Sequence, residues 1–204
     1  MTGPSEFDAV YAAEQLRRSR HPLRRLIKRF YLDHVLHDVH GPTIDLGCGA
    51  GQLLARLPAG SVGVEVNPVL VEHLRSAGMN VLGYDAAGDG FRLTGFREGY
   101  YKTLVISHVL EHFEDAASVI RVLWRSCARL GIETIVAIVP GAKGYASDAT
   151  HKTFIDARFI EAQGLRRVEG FDLVKSRYFP IDRVDIGDHF TFHELKLVYS
   201  KAAR

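Results

Sequence analysis

The feature that most constrains this chain is a cluster of small residues, Asp45-Leu46-Gly47-Cys48-Gly49-Ala50-Gly51. It begins at the end of residues 43–46, which predict a short strand, and precedes residues 52–57, which predict a helix. Glycines at such a turn let the backbone approach a ligand closely, while the first amides of the helix face that ligand. The cluster lacks the glycine that a dinucleotide fingerprint requires at position 52, and it lacks the Lys-Ser/Thr pair of a P-loop. It therefore predicts a ligand-binding turn of a different α/β type.

Strands and helices alternate along most of the chain, as apolar periodicity and turn residues indicate. This alternation predicts a doubly wound, Rossmann-like α/β sandwich of three layers. We expect a mostly parallel seven-stranded sheet with an antiparallel C-terminal strand, and ligands at the carboxyl ends of its strands. The predicted strands are residues 43–46, 61–66, 80–84, 102–107, 134–139, 165–174 and 190–199, and the predicted helices are residues 6–18, 22–35, 52–57, 68–77, 115–129 and 156–163.

Two of these elements carry specific local signals. Asn67 before Pro68 predicts a helix start, because asparagine caps free amides and proline suits the first turn. In the last predicted strand, the alternation of apolar and polar residues changes register between Phe192 and Leu195. This change predicts a β-bulge near His193-Glu194.

Composition is that of a soluble globular domain, since 47% of the 204 residues are hydrophobic and 25% are charged. We expect a single domain over residues 1–204, with a helical cap over residues 1–40 and a Rossmann-like core over residues 41–204. The longest apolar run, residues 135–139, is far too short to span a membrane. The N-terminus lacks a secretory signal pattern and the two cysteines lie far apart, so we expect a cytoplasmic protein.

Positive charge is concentrated in residues 17–29, which hold seven of the 26 Lys and Arg residues and no acidic residue. The remaining 19 basic residues are outnumbered by 24 acidic ones. The absence of interleaved aromatic residues and the acidic remainder disfavour nucleic-acid binding. We interpret the segment as a solvated helix face, and the alternative is a contact with an anionic acceptor or an acidic partner.

Two carboxylates follow the next two predicted strands. Glu65 ends the second strand, 18 residues after Gly47, where a carboxylate can accept hydrogen bonds from both hydroxyls of a ribose. Asp85 follows the third strand, where it can accept a hydrogen bond from an adenine amine. The alternative is that both are ordinary solvated charges at strand ends. Their order behind the glycine cluster favours a nucleoside ligand.

These motifs together resemble those of the class I S-adenosylmethionine-dependent methyltransferases, over about residues 40–165. Within that superfamily the chain is most similar to small-molecule methyltransferases, a group that includes the MetW-like proteins. One departure is Arg129-Leu130-Gly131-Ile132, where many relatives have a Pro-Gly-Gly turn. The stretches that carry the resemblance are Asp45–Gly51, Gly63-Val64-Glu65-Val66-Asn67-Pro68, Tyr84-Asp85-Ala86 and Ser107-His108-Val109-Leu110-Glu111-His112.

The resemblance implies S-adenosylmethionine as the cofactor, S-adenosylhomocysteine as its product, and a set of adenosine contacts. Glu65 would hold the ribose, with Val66 and Asn67 beside the adenine. Asp85 and Ala86 would bind the adenine edge.

The resemblance also implies contacts with the methionine part of the cofactor. Ser107 and His108 would lie along the cofactor after the fourth strand, and Tyr11 would close over the pocket from the N-terminal helix. The residues implied around the methionine moiety are Asp45, Gly47, Cys48, Gly49 and Gly51.

The segment His108-Val109-Leu110-Glu111-His112 also matches the H-x-x-E-H pattern of some zinc peptidases. That chemistry requires both histidines on one helical face. Here they directly follow an apolar parallel strand beside the glycine cluster, which disfavours a peptidase. The remaining interpretations are that Glu111 and His112 cap the helix beginning near Asp115, or that His112 lines the acceptor pocket.

Residues 140–152 follow the fifth strand and predict an acceptor-binding lid. His151 is our first candidate for a general base, because histidine titrates near neutrality, and His112 is the second. Asp148 is expected to orient His151. The alternative is that Asp148 and Thr150 only form a turn and a cap before Phe154.

Five Asp and His residues later in the chain could form a second polar wall of the site, and their side chains could bind a cation. Their spacing is not diagnostic of a metal site, so we expect no resident metal. The members of the wall are Asp182, Asp185, Asp188, His189 and His193.

The sequence thus predicts methyl transfer to an O, N or S atom of a small molecule by in-line displacement. Two alternatives stay open. One is a non-catalytic cofactor-fold protein that binds or activates a partner, and the other is a methyltransferase acting on RNA or protein. The expected partners are a small-molecule acceptor and either a second copy of the chain or a partner enzyme.

Overall fold

A computed structural model describes residue 13 and residues 22–202. The strands are β1 (Thr43–Leu46), β2 (Val62–Glu65), β3 (Val81–Gly83), β4 (Thr103–Ser107), β5 (Thr134–Pro140), β6 (Arg167–Val168), β7 (Phe171–Phe179) and β8 (Glu194–Lys201). The α-helices are α1 (Pro22–Leu36), α2 (Pro68–Ser76), α3 (Ala116–Leu130), α4 (Ala142–Ala146) and α5 (Ala157–Ala162), and short 3₁₀ helices cover Leu54–Arg56, Leu110–His112 and Val184–Asp188.

The strands form one sheet in the order β3-β2-β1-β4-β5-β8-β7-β6. Strands β1 to β5 pair in parallel, whereas β6, β7 and β8 pair antiparallel. The predicted fold class is therefore confirmed: a mostly parallel α/β sheet with antiparallel C-terminal strands.

Helices cover both faces of the sheet. Alternate residues of the central strands point in opposite directions, so one strand contributes to two apolar clusters. Val105 and Val136 pack toward Val35 of α1. On the other face, Leu104 and its neighbours pack with Trp124 of α3. Every residue of β5 is buried, as expected for a central strand with both faces covered.

The sheet has eight strands rather than the expected seven, because the predicted strand 165–174 is interrupted. Glu169 and Gly170 both have positive φ, at 51° and 83°, and they form a two-residue turn between β6 and β7. Turns with two positive φ values match the twist of a tight hairpin. Strand β7 then continues to Phe179, beyond the predicted end.

Two local predictions are wrong. The expected helix over residues 52–57 is only the 3₁₀ turn Leu54–Arg56, because Pro58 disfavours helical backbone at Leu57, which is extended. The expected bulge near His193-Glu194 is absent, because β8 begins at Glu194 and leaves Phe192 outside the strand. The register instead shifts on the opposite strand, between Leu173 and Lys175.

The N-terminal predictions are only partly covered. The predicted helix 22–35 is confirmed as α1. Apart from residue 13, the predicted helix 6–18, with Tyr11, lies outside the described residues, as do most side chains of the basic segment 17–29. Within residues 22–202, every helix falls short of the length and hydrophobicity that a bilayer crossing requires.

Candidate active site

The carboxyl ends of β1 and β4 bring the glycine cluster against the loop that contains His108. The amides of Gly47 and Cys48 donate to the carbonyl of Val64, at 2.9 and 3.0 Å, and so fix the cluster beside β2. Gly47 has a φ of +78°, and a Cβ atom there would lie 2.5 Å from Val109 Cγ2. Only glycine suits this position, because the backbone is left-handed and the neighbouring loop is in contact.

Glu65 connects the glycine cluster to the start of α2. One carboxylate oxygen accepts from the amide of Gly49 at 2.9 Å, and the other accepts from the amide of Asn67 at 2.9 Å. The residue is 7% exposed at the end of β2. Each carboxylate oxygen has a second lone pair, so this geometry leaves acceptor capacity for a ligand hydroxyl.

Asn67 caps α2, as predicted. Its side-chain oxygen accepts from the amides of Val69 and Leu70. The side chain is fully buried, so its visible role is structural, and contact with adenine stays a prediction.

An open cleft of about 470 Å³ lies between the ends of β2 and β3, and Val66 and Asp85 line it. Val66 is 47% exposed, which leaves an apolar surface available beside the cleft. Asp85 is also exposed, and its Oδ1 accepts from the amide of Gly88 at 2.8 Å. Ala86 packs partly against the main core. The structure thus places the predicted adenine-side residues Val66, Asp85 and Ala86 near one edge of the sheet.

The methionine-side residues lie at the ends of β1 and β4. Asp45 is 3% exposed. Burial raises the pKa of the Cys48 thiol, and the negative charges of Asp45 and Glu65 raise it further. Gly51 has a φ of +71° and approaches Leu74 of α2. Ser107 ends β4 and is half-buried. Their contacts with a cofactor stay predictions.

His108 lies between two carboxylates and has a left-handed backbone with φ 55°. Its Nε2 is 2.9 Å from Glu194 Oε1, and its Nδ1 is 3.3 Å from Glu111 Oε1. Reduced hydration opposes the charged ring, but the carboxylates of Glu194 and Glu111 outweigh this effect and raise the pKa of His108 to about 10. Since 42% of the side chain is exposed, solvent screens the ion pair with Glu194.

The peptidase geometry is absent. Helical backbone does not extend from His108 to His112, because the 3₁₀ turn begins only at Leu110. His108 turns to Glu194, whereas His112 contacts His151, so the two histidines of the motif do not share a face.

His112 and His151 do come together, with ring centroids 4.9 Å apart. Thr150 Oγ1 lies 3.1 Å from His112 Nδ1 and donates to Asp148 Oδ1 at 2.7 Å. The Asp148 carboxylate reaches His112 through Thr150, whereas its backbone carbonyl accepts from the His151 amide at 3.3 Å, so an orienting effect on the His151 ring stays a prediction. Asp148 Oδ1 also accepts from the Thr150 amide at 2.9 Å, so the predicted turn is present as well. Burial lowers the pKa of His112.

Sequence reasoning gave Glu111 only a capping role before the helix near Asp115, but Asp115 itself caps that helix. The Glu111 side chain is fully buried, and neither carboxylate oxygen receives a hydrogen bond from the described residues. Its backbone carbonyl accepts from the amides of Lys152 and Thr153, which fastens the lid loop to the loop after β4. His151 Nε2 lies 3.9 Å from Glu111 Oε1. Glu111 thus lies near two histidines, His108 of its own motif and His151 of the loop after β5, which the motif alone did not indicate.

The second polar wall does not form a shared site in residues 22–202. Asp182 accepts from the amide of Tyr178, and Asp185 pairs with Arg183. His193 is fully buried and stacks on Tyr178. Each of these three side chains therefore interacts with a residue outside the proposed wall.

The strand order is that of a Rossmann-like α/β fold, which solved methyltransferases share. Residues 44–135 match the family model described as a methyltransferase domain. By the family model over residues 44–135 and by fold, the chain is similar to the class I S-adenosylmethionine-dependent methyltransferases. The predicted cofactor, S-adenosylmethionine, is the one that this superfamily uses. No curated protein matches the chain in sequence.

Solved structures share the fold along almost the whole chain. A SAM-dependent methyltransferase from Archaeoglobus fulgidus has a TM-score of 0.67 at 19% identity, covering 95% of this chain and 100% of that one. The magnesium protoporphyrin IX methyltransferase of Synechocystis PCC 6803, with bound SAH, has a TM-score of 0.66 at 15% identity over 97% of each chain. A Haloferax volcanii complex between the Trm112 methyltransferase activator and a methyltransferase has a TM-score of 0.66 at 15% identity, covering 99% of this chain and 99% of that one.

Proposed function

We propose that this chain transfers the methyl group of S-adenosylmethionine to an O, N or S atom of a small molecule. The observation that carries the proposal is Glu65, a buried carboxylate that joins the glycine cluster to the start of α2 at the carboxyl edge of the sheet. A nucleoside bound there would meet lone pairs of Glu65 at its ribose and the exposed surface of Val66 at its base.

We call the loops after β1, β2 and β3 the cofactor side, and the loops after β4 and β5 the acceptor side. When bound, S-adenosylmethionine supplies a methyl group made electrophilic by a sulfonium. The protein's task is to hold an acceptor atom in line with that methyl group, about 3 Å away, and to exclude water. The new bond forms from the acceptor lone pair to the methyl carbon, while the carbon–sulfur electron pair returns to sulfur.

The acceptor proton requires a base when the acceptor is a hydroxyl or an amine. His151 is our first candidate, since its Nδ1 donates to the Tyr145 carbonyl at 2.8 Å, which in the neutral ring leaves the lone pair on Nε2. His112 is the second, and Asp148 is assigned to positioning His112 through Thr150. A thiolate or carboxylate acceptor would need no base.

The first experiment is calorimetric titration with S-adenosylmethionine, S-adenosylhomocysteine and NAD. We expect micromolar binding of the first two and none of NAD. Glu65→Ala should weaken binding by about tenfold or more, because it removes charged hydrogen-bond acceptors for the ribose. Glu65→Gln serves as the shape-conserving variant.

Glu133→Ala is the matched control. Glu133 is an exposed glutamate that pairs with Lys102 at the opposite, amino-terminal edge of the sheet. Its affinity should stay within about twofold of the wild type. A folded protein that binds neither S-adenosylmethionine nor S-adenosylhomocysteine would refute the proposal. Micromolar binding then justifies an acceptor screen, in which turnover of small molecules rather than RNA or protein is expected.

A further inference from the structure

The cluster of Glu111, His112 and His151 has an unusual chemical character. One nitrogen or oxygen ligand atom from each residue lies within 4.8 Å of the others. The Glu111 side chain is fully buried and neither of its carboxylate oxygens receives a hydrogen bond within the described part of the chain. A buried carboxylate without hydrogen bonds is costly unless a cation or a proton neutralises it.

The hydrogen bonds around His151 determine which of its ring atoms faces Glu111. The carbonyl of Tyr145 can only accept, so His151 Nδ1 must donate the hydrogen bond of 2.8 Å. In the neutral ring the lone pair is then on Nε2, the atom nearer to the carboxylate.

The same reasoning applies to His112. The Asp148 carboxylate can only accept, so the Thr150 hydroxyl donates its one hydrogen bond to Asp148 Oδ1. His112 Nδ1 must therefore donate to Thr150 Oγ1, which leaves a lone pair on His112 Nε2. Both imidazoles are thus held in the tautomer that offers Nε2 as an acceptor.

This is the arrangement that metal-binding histidines show, in which the second ring nitrogen donates to a carbonyl or to a polar chain ending in a carboxylate. The nearest cationic group is His108, whose Nδ1 lies 3.3 Å from Glu111 Oε1. His108 also pairs with Glu194 at 2.9 Å, so its charge is shared between two carboxylates.

We infer that Glu111, His112 and His151 bind a divalent transition-metal ion at the acceptor side, with Asp148, Thr150 and Tyr145 as positioning groups. Two imidazoles and one carboxylate suit Zn²⁺ and similar first-row ions, whereas Mg²⁺ prefers oxygen ligands alone. Three protein ligands leave coordination positions open for an oxygen or nitrogen atom of the acceptor.

The use of the ion rests on the proposed function, although its binding does not. An ion on the two Nε2 atoms would lower the pKa of a coordinated acceptor hydroxyl, so His151 would serve as a ligand rather than as the base. The hydroxyl proton would then leave to solvent before the acceptor oxygen attacks the methyl carbon.

The test is direct metal binding by the purified full chain, freed of metal with chelator and titrated with ZnCl₂ alone. We expect one Zn²⁺ per chain with micromolar or tighter affinity, at least about tenfold weaker in His112→Ala and in His151→Ala. Thr150→Val removes no ligand, but it frees His112 Nδ1 and should also weaken binding by about tenfold. Co²⁺ should give visible absorption bands that His112→Ala loses.

His189→Ala, at an exposed histidine outside the cluster, is the matched control and should bind Zn²⁺ like the wild type. Circular dichroism establishes that each variant is folded, and Glu111→Gln replaces His151→Ala if the latter is not. Equal Zn²⁺ affinity in the wild type and both folded ligand variants would overturn the inference. So would the absence of stoichiometric binding by the wild type. S-adenosylmethionine affinity, measured on the same samples, separates failure of this inference from failure of the proposed function.

Discussion

The cofactor side and the acceptor side of the site differ in how their residues are brought together. On the cofactor side, Glu65 reaches Gly49, a partner 16 residues away on the neighbouring strand's loop. On the acceptor side, Thr150 reaches His112 across 38 residues, and His108 reaches Glu194 across 86. The first arrangement follows from adjacent parallel strands, whereas the second depends on how separate loops pack.

The two sides also use different chemical groups. Backbone amides and one buried carboxylate fix the cofactor side, and glycines with positive φ allow their close approach. Histidine rings and their hydrogen-bonding partners form the acceptor side. A site made of backbone groups suits a cofactor common to many proteins of one fold, while side chains allow the acceptor to vary.

The largest effect is expected where the antiparallel strands attach to α1. Asp38 is 8% exposed and accepts from Lys175 at 2.5 Å and from Lys196 at 2.6 Å. Asp38→Ala should cost about 3 kcal/mol of unfolding free energy at pH 7, because it leaves Lys196 buried without its counter-ion. Urea unfolding measures this loss, and S-adenosylmethionine affinity should persist in the folded variant.

The Asp38 effect has a defined pH window. Burial opposes ionisation of this carboxyl, but hydrogen bonds from Lys175 and Lys196 outweigh it and lower the pKa from 3.8 to about 2. The unfolded chain therefore binds more protons between these values, so the stabilisation is complete above pH 4 and is lost as pH falls toward 2. Asp33→Ala is the control and should change little, because Asp33 is an exposed partner of Arg56 on α1, five residues before Asp38. An Asp38 variant with unchanged stability would show that the antiparallel strands need no such anchor.

The second-largest effect is a difference in stability between alanine substitutions at two glycines of the cofactor side. Gly47 and Gly49 both have positive φ, but only Gly47 would place a Cβ against Val109. Gly47→Ala should cost about 2 kcal/mol or more, from backbone strain plus the clash, and Gly49→Ala about 1 kcal/mol from strain alone. Chemical denaturation of both variants checks the order.

A Val109→Ala substitution in the Gly47→Ala background isolates the clash. The double-mutant cycle should give a favourable coupling, since the smaller side chain makes room for the new Cβ. Zero coupling would mean that the loops after β1 and β4 are not in the contact described.

A smaller effect is expected at the helix cap beneath the cofactor side. Asn67→Ala should cost about 1 kcal/mol, because two α2 amides lose their acceptor. Asp115→Ala removes the comparable cap of α3 and should cost a similar amount. Only Asn67→Ala should also weaken S-adenosylmethionine binding, since loss of its side-chain cap loosens the start of α2, where the backbone amide of residue 67 donates to Glu65. Calorimetry on both variants decides this, and equal affinities would confine Asn67 to a structural role.

The smallest effect tests the independence of the two sides. His112→Ala and His151→Ala should leave the dissociation constant of S-adenosylmethionine within about twofold, because neither residue contacts the Glu65 network. A loss of tenfold or more in calorimetric titration would show that the acceptor side contributes to cofactor binding.

Local signals explain why the turn after β1 and the cap of α2 could be predicted. The glycine cluster, Glu65 and the Asn67 cap each depend on residues within one strand–turn–helix unit, so their spacing in sequence fixes their spacing in the fold. Where the local pattern was ambiguous, prediction failed. The apolar run 165–174 concealed a turn at Glu169-Gly170, and the short helix after Gly51 ended before Pro58.

The sequence by itself determined the parallel α/β sheet, the glycine cluster and the order of its carboxylates, because strand alternation and turn chemistry are encoded between neighbouring residues. Only the tertiary structure decided that Glu111 faces His151 and that Asp148 acts on His112 through Thr150. Those contacts arise where the loop after β5 is fastened to the loop after β4 by the Glu111 carbonyl. Packing between separate loops has no periodic pattern in the sequence, so it had to be read from the fold.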